Sequence, residues 1–173
     1  MNKAVISNIW RTVLFIALQV LVLMSVKISF GSFDYIHIIV YPIIIILFPL
    51  NVPRPLLILM SFFVGMSVDI FYSSVGVHAS ACVFIAYIRD YVLKYLEPHG
   101  GYSIDISPSS HNLGFQWFLP YSCFMLFVFM LFYFSVEAFS FVFIFEIIMN
   151  TIASFIFSII FILIHQFIFN TTV

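Results

Sequence analysis

The sequence predicts an all-α polytopic membrane protein with six transmembrane helices, and three observations carry the prediction. Of the 173 residues, 64% are hydrophobic and only 8% are charged. That is more apolar side chain than a soluble core of this size can hide, and a disordered chain would not carry it. Apolar runs close to the roughly 17–20 residues that cross a bilayer recur from end to end. Strict two-residue alternation is missing, which argues against an outer-membrane barrel. The length fits a single integral membrane domain over residues 1–173.

The first span is residues 9–28. Lys3 and Arg11 ahead of it resemble the start of a signal peptide, but the run is long and no small-residue cleavage site follows, so it reads as a retained helix. The second span, 35–50, is short and interrupted by Pro42. "FPLNVPRP" then breaks the chain, because Pro49, Pro53 and Pro55 cannot all continue a helix and Asn51 favours a turn. The third span is 56–72 and the fourth 75–93. The turn between them is tight, so the first four spans should run as an antiparallel serpentine. The polar segment 97–114 is the sizeable loop. "WFLPY", 117–121, reads as an interfacial aromatic belt near the start of the fifth span, 115–136. The sixth span is 140–169.

Charge asymmetry sets the orientation. With six spans, Lys3, Arg11, Arg54, Arg89 and Lys94 share one side and Lys27 stands alone on the other. The Lys/Arg-rich side faces the cytoplasm, so both termini are expected there. Asp69, the turn after it and His78 then lie near the outer face.

Ionisable groups inside a span cost roughly 2.5–3.5 kcal/mol on insertion scales unless they pair or reach water. Ser61, Gly65 and Asp69 share one face of the third span, at steps of four. His78, Cys82 and Ala86 share a face of the fourth, with Arg89 and Asp90 beyond. Glu146, Asn150, Ser154 and Ser158 make a polar and small stripe on the sixth. Each stripe is expected to face other helices rather than lipid, since small residues permit close approach. Asp69 and His78 are expected in one cluster across the short turn, the carboxylate near the imidazole, with Gly65 and Gly76 letting the helices approach. Two roles stay open for Asp69, His78, Glu146 and Asn150: a ligand pocket or proton relay, or interhelical bonding that fixes packing.

Standard chemistry is missing from the sequence. There is no GxSxG, HExxH, Walker A or glycine-rich dinucleotide loop. Glu137 and Glu146 do not read as an acid–base pair. His37, His99, His111 and His165 are scattered, and Cys82 and Cys123 have neither a CxxC partner nor a histidine at metal spacing. No metal or cofactor is therefore expected, and with a net charge of −1 and no basic run, no nucleic acid.

One long stretch carries a family resemblance. "FPLNVPRPLLILMSFFVGMSVDIFYSSVGVHASACVFIAYIRDYVLKYLEP" resembles the central part of the rod shape-determining membrane protein MreD family. The elements are the Pro-rich break ending in Pro53-Arg54, the Gly65-x-x-x-Asp69 end of the third span, the Gly76-x-His78-Ala79 entry to the fourth, and "YIRDYVLKYL" with the Gly-Tyr loop after it. The match covers about residues 48–102. Elsewhere, hydropathy, length and "FQWFLPY" agree. The resemblance implies a non-catalytic component of the bacterial inner membrane that helps maintain cell shape and organise peptidoglycan synthesis. It implies an MreC-like bitopic partner and, through it, links to the MreB filament, the RodA glycosyltransferase and its transpeptidase. It also implies a fold similar to the six-helix substrate-binding subunits of energy-coupling-factor vitamin transporters.

Such a transporter subunit is the alternative reading. Those proteins share an A-x-x-x-A patch on their first helix, whereas "IWRTVLFIALQVLVLM" has Ala17 alone. A third class, a small intramembrane enzyme, would have to run on Asp69 and His78.

Overall fold

The computed structural model describes residues 3–23, 28–30, 33–74, 76–98, 100–102, 106–139 and 141–169. Five long helices carry the fold: α1 (Lys3–Leu21), α3 (Arg54–Tyr72), α4 (Val77–Tyr95), α6 (Phe115–Ala138) and α7 (Ile144–Phe169). Two four-residue helices, α2 (Ile43–Ile46) and α5 (Ser110–Leu113), lie between them. A short antiparallel hairpin, β1 (Ile28–Phe30) and β2 (Phe33–Ile36), follows α1. Among the described residues, the regular structure is helical apart from that hairpin, and three helices, α3, α6 and α7, are long and apolar enough to cross a membrane. The expected starts at Val75 and Ser140, and Lys27 from the charge count, fall outside the described residues.

Sequence chemistry explains the boundaries. Pro53 and Pro55 flank the first residue of α3, where missing N–H groups cost nothing. Ser73 ends α3 in the left-handed conformation at φ 54°, and Gly76 caps α4 at φ 78°. Gly76 suits that conformation because it has no Cβ to clash. The α3 and α4 helices form the closest pair in the bundle. A Cβ on Gly65 would sit 2.7 Å from the Ala79 nitrogen and 2.8 Å from the His78 carbonyl oxygen. Only glycine permits that approach without a shift.

The second expected span needs correcting. Residues 35–50 are not one helix. The chain leaves β2, runs without regular structure over 37–40, turns at Tyr41 and Pro42, and makes one helical turn, α2, before Pro49. Pro42 lacks an N–H and biases Tyr41 away from helix, while the β-branched Ile38, Ile39 and Val40 suit extended backbone. Residues 38–47 are nonetheless buried without a break. Non-helical backbone can sit in an apolar interior only if its polar groups find partners. Here neighbouring helices supply them. Ser154 Oγ accepts from the His37 N–H at 3.1 Å, and Ser158 Oγ from the Ile39 N–H at 2.9 Å. Gln19 closes the other side, accepting from the Val40 N–H at 2.9 Å and donating to the Ile38 carbonyl at 3.0 Å.

Candidate functional site

Asp69 sits in the last turn of α3 and is 4% exposed. Its carboxylate points across the turn to the start of α4. Oδ1 accepts from the His78 backbone N–H at 3.1 Å and the Ser74 hydroxyl at 2.7 Å, and Oδ2 accepts from the Ala79 N–H at 2.9 Å. Asp69 therefore caps α4 from the preceding helix. The first N–H groups of a helix have no partner within it, and the helix dipole favours an anion there. Gly76, at the N-cap position itself, has no side chain to do this. Each such charge-assisted bond contributes about 1.5–3 kcal/mol.

The His78 ring makes no ion pair with the neighbouring Asp69 carboxylate. Asp69 binds the backbone of His78, while the imidazole, 1% exposed, turns among aromatic rings. Tyr41 Oη lies 2.8 Å from His78 Nδ1. The rings of Tyr72 and Tyr133 pack at 4.9 and 4.8 Å between centroids. His78 Nε2 is buried and has no hydrogen-bond partner. The expected carboxylate–imidazolium pair is replaced by a backbone cap beside a histidine–tyrosine cluster.

Glu146 and Asn150 lie elsewhere in the bundle. Glu146 is exposed in the first turn of α7, and Asn150 is half-buried one turn further on. The Ser154 and Ser158 end of the same stripe is buried and holds the non-helical segment. Among the described residues, no three His, Cys, Asp or Glu side chains gather as a metal site.

Three side chains organise the interior, and of these sequence reasoning named only Arg89, beyond the His78 face of the fourth span. Gln19 donates a second bond, to Tyr72 Oη at 2.8 Å, and so links α1, the non-helical segment and α3. A lone glutamine in "FIALQVLVLM" is the signal that could have found it. Tyr41 precedes Pro42 and reaches His78. Arg89 is the third, 2% exposed. It donates from Nη2 to the Phe48 carbonyl and from Nε to Tyr121 Oη at 3.2 Å, and Tyr121 donates in turn to the Ile46 carbonyl at 3.1 Å. Arg89 and Tyr121 thus take up carbonyls at the end of α2 that have no helix to continue into. Nearby, Trp117 Nε1 donates to the Leu96 carbonyl and Tyr102 Oη to the Leu93 carbonyl. Burial pushes the Tyr102 hydroxyl up to about 12. Among the described residues, the ion pair is Arg54–Asp90 at 3.5 Å, with the Arg54 guanidinium over the Tyr87 ring.

These features define a helical protein of membrane-spanning character whose interior polar groups chiefly hold backbone to backbone. No family model matches the chain, and neither a curated protein nor a solved structure matches it.

Proposed function

We propose that the chain is a non-catalytic inner-membrane component of a bacterial cell-elongation complex of the MreD kind, which binds an MreC-like single-span partner. One observation carries the reading. The residues of the resemblance, Gly65, Asp69, Gly76, His78 and Ala79, work as one structural device. Gly65 seats α3 against Ala79, Gly76 turns the chain, and Asp69 caps α4. A motif spent on backbone geometry suits a protein that acts through shape and association. Links to the MreB filament, RodA and its transpeptidase then run through the partner.

In this reading the chain crosses the inner membrane six times, and the second crossing is the broken segment 37–48. Its support is depth. Tyr41 meets His78 at the start of α4, and Phe48 meets Arg89 eleven residues later on the same helix, about 16 Å along its axis. The segment therefore runs from one end of the bundle towards the other. Both termini lie in the cytoplasm, with the Lys/Arg-rich ends. Reporter fusions at Val173 and within 107–112 are active with a cytoplasmic reporter and silent with a periplasmic one; the reverse pattern overturns the orientation. Affinity purification of the full chain from native membranes retains a single-span protein with a periplasmic domain. Recovery of the chain alone, under detergent that preserves its fold, refutes the association.

One observation favours the second reading, a substrate-binding subunit of an energy-coupling-factor vitamin transporter. His78 Nε2 is buried without a partner beside a broken segment, and broken segments in transporters face their substrates. Mass spectrometry of the denatured, washed protein separates the two. A stoichiometric vitamin-sized molecule supports the transporter, and its loss in His78→Phe places the molecule at this cluster.

A further inference from the structure

The two nitrogens of the His78 ring have different fates. Nδ1 meets Tyr41 Oη at 2.8 Å. Nε2 points to the far side of the ring from Nδ1, and there it is buried without a hydrogen-bond partner among the described residues. Tyr133 packs on the imidazole at a tilt of 37° and Tyr72 at 62°, with centroids 4.8 and 4.9 Å away. Competition for one proton sets the tautomer. Tyr41 has a single hydroxyl hydrogen, and it interacts with Cys82 as well as with His78. A thiol sulfur is a weak acceptor and an imidazole nitrogen a strong one, so the hydroxyl donates to Nδ1. Nδ1 then carries no proton, and Nε2 is an N–H donor. Tyr72 brings a second donor. Its Oη accepts from Gln19 Nε2 at 2.8 Å, and among the described residues its own hydrogen has no acceptor.

An N–H and an O–H thus stand on adjoining rings with nothing to receive them, and buried donors left in that state are rare in native proteins. We infer that His78 Nε2 and Tyr72 Oη are the two donors of a binding site for one neutral oxygen acceptor, at the end of the bundle that holds the α3–α4 turn. Charge sets the class of occupant. Asp69 caps α4 at this end, and Glu137 accepts from Tyr133 at 3.3 Å. Arg54 opens α3, and Arg89 and Lys94 come late in α4, so all three are at the other end. An anion would meet two carboxylates here, and a cation would face two donor hydrogens. A neutral oxygen suits both donors, and it is supplied by a water or by the carbonyl of a small molecule. Tyr72 is half-buried, so the site adjoins the protein surface. Water also fits the count of partners. A buried water makes two to four hydrogen bonds, and Tyr133 Oη, which spends its hydrogen on Glu137, keeps lone pairs for a third. The inference does not depend on the association proposed above.

The test is solid-state NMR of the isotope-labelled full chain in lipid bilayers, with His78 assigned through Val77 and Ala79. Nitrogen shifts read the tautomer, and magnetisation transfer from water protons reads contact at Nε2, with the exposed His111 as the positive control. The expected result is a bare Nδ1, a protonated Nε2 and transfer from water to Nε2. Tyr72→Phe abolishes that transfer at unchanged Trp117 fluorescence, since the water loses one of its two donors. If the washed protein instead releases a carbonyl-bearing molecule on denaturation, in an amount that falls in Tyr72→Phe, the acceptor is that carbonyl and the site stands. An unprotonated Nε2 overturns the inference. So does a protonated Nε2 with neither water transfer nor a released molecule, and so does an occupant indifferent to Tyr72→Phe. Recovery of the chain without a single-span partner refutes the association alone and leaves this site standing.

Discussion

Gly65→Ala puts the α3–α4 device to the most direct test. The added methyl would overlap the Ala79 Cα and lie 2.7 Å from the Ala79 nitrogen, where ordinary contact begins at 3.4 Å, so the helices must part by about 1 Å at this level. The obstructing atoms are backbone, and no rotamer change relieves them. Overpacking of this kind costs about 1–3 kcal/mol. The same nitrogen donates to Asp69 at 2.9 Å, and a shift of that size along the bond takes it beyond hydrogen-bond range. Loss of one charge-assisted bond adds about 1.5–3 kcal/mol. The combined expectation is about 2.5–6 kcal/mol, a large share of the stability of a typical domain. The assay is reversible unfolding of the full chain in mixed detergent micelles, followed by Trp117 fluorescence. Ala79→Gly gives no rescue in the double variant, because the clash is with main-chain atoms. Stability of Gly65→Ala within 0.5 kcal/mol of the parent, or rescue by Ala79→Gly, refutes the reasoning.

Three further outcomes follow from the same geometry. Asp69→Asn keeps the shape but sets an amide NH2 towards a donor, and is expected to destabilise by about 1–3 kcal/mol; slower-migrating, protease-sensitive protein at the α3–α4 turn is the readout. Gln19→Leu removes three hydrogen bonds and leaves the Val40 N–H and the Ile38 carbonyl buried alone. Its cost is about 2–4 kcal/mol, and amide exchange at 38–40 rises while exchange within α3 stays unchanged. Arg89→Lys retains charge but cannot span Phe48 and Tyr121 together, so it lowers stability by about 2 kcal/mol and fails to match Arg in the unfolding assay.

What the sequence made legible follows from how each signal arises. Long apolar helices are local: the runs that became α3, α6 and α7 announce themselves by length, and the expected ends at 72 and 115 match the observed ones. The closeness of α3 and α4 was also readable from Gly65 on the small-residue face of the third span, although the atoms it meets, the Ala79 backbone, were not. The partner of Asp69 was less readable. A carboxylate nine residues before a histidine suggests a side-chain pair. Sequence holds no sign that the backbone N–H of that histidine, freed by Gly76 at the cap, is the stronger claimant.

The second span shows the deeper reason for the misses. Residues 37–47 are as apolar as a crossing helix, and hydropathy weighs side chains only. Whether such a run coils depends on where its backbone hydrogen bonds go, and here the answer lies in distant residues. Ser154 and Ser158 stand more than a hundred positions away, and Gln19 is on the other side of the hairpin. The serines, readable as small packing residues, accept from the N–H groups of non-helical backbone. The glutamine, readable as a stray polar group, does the same from the opposite side. Each is inconspicuous in its own helix. A proline inside an apolar run, with a buried amide and paired hydroxyls in neighbouring helices, is therefore a sequence pattern for a buried segment that does not form one helix. It asks which other segment supplies the missing hydrogen bonds, a question that span counting never raises.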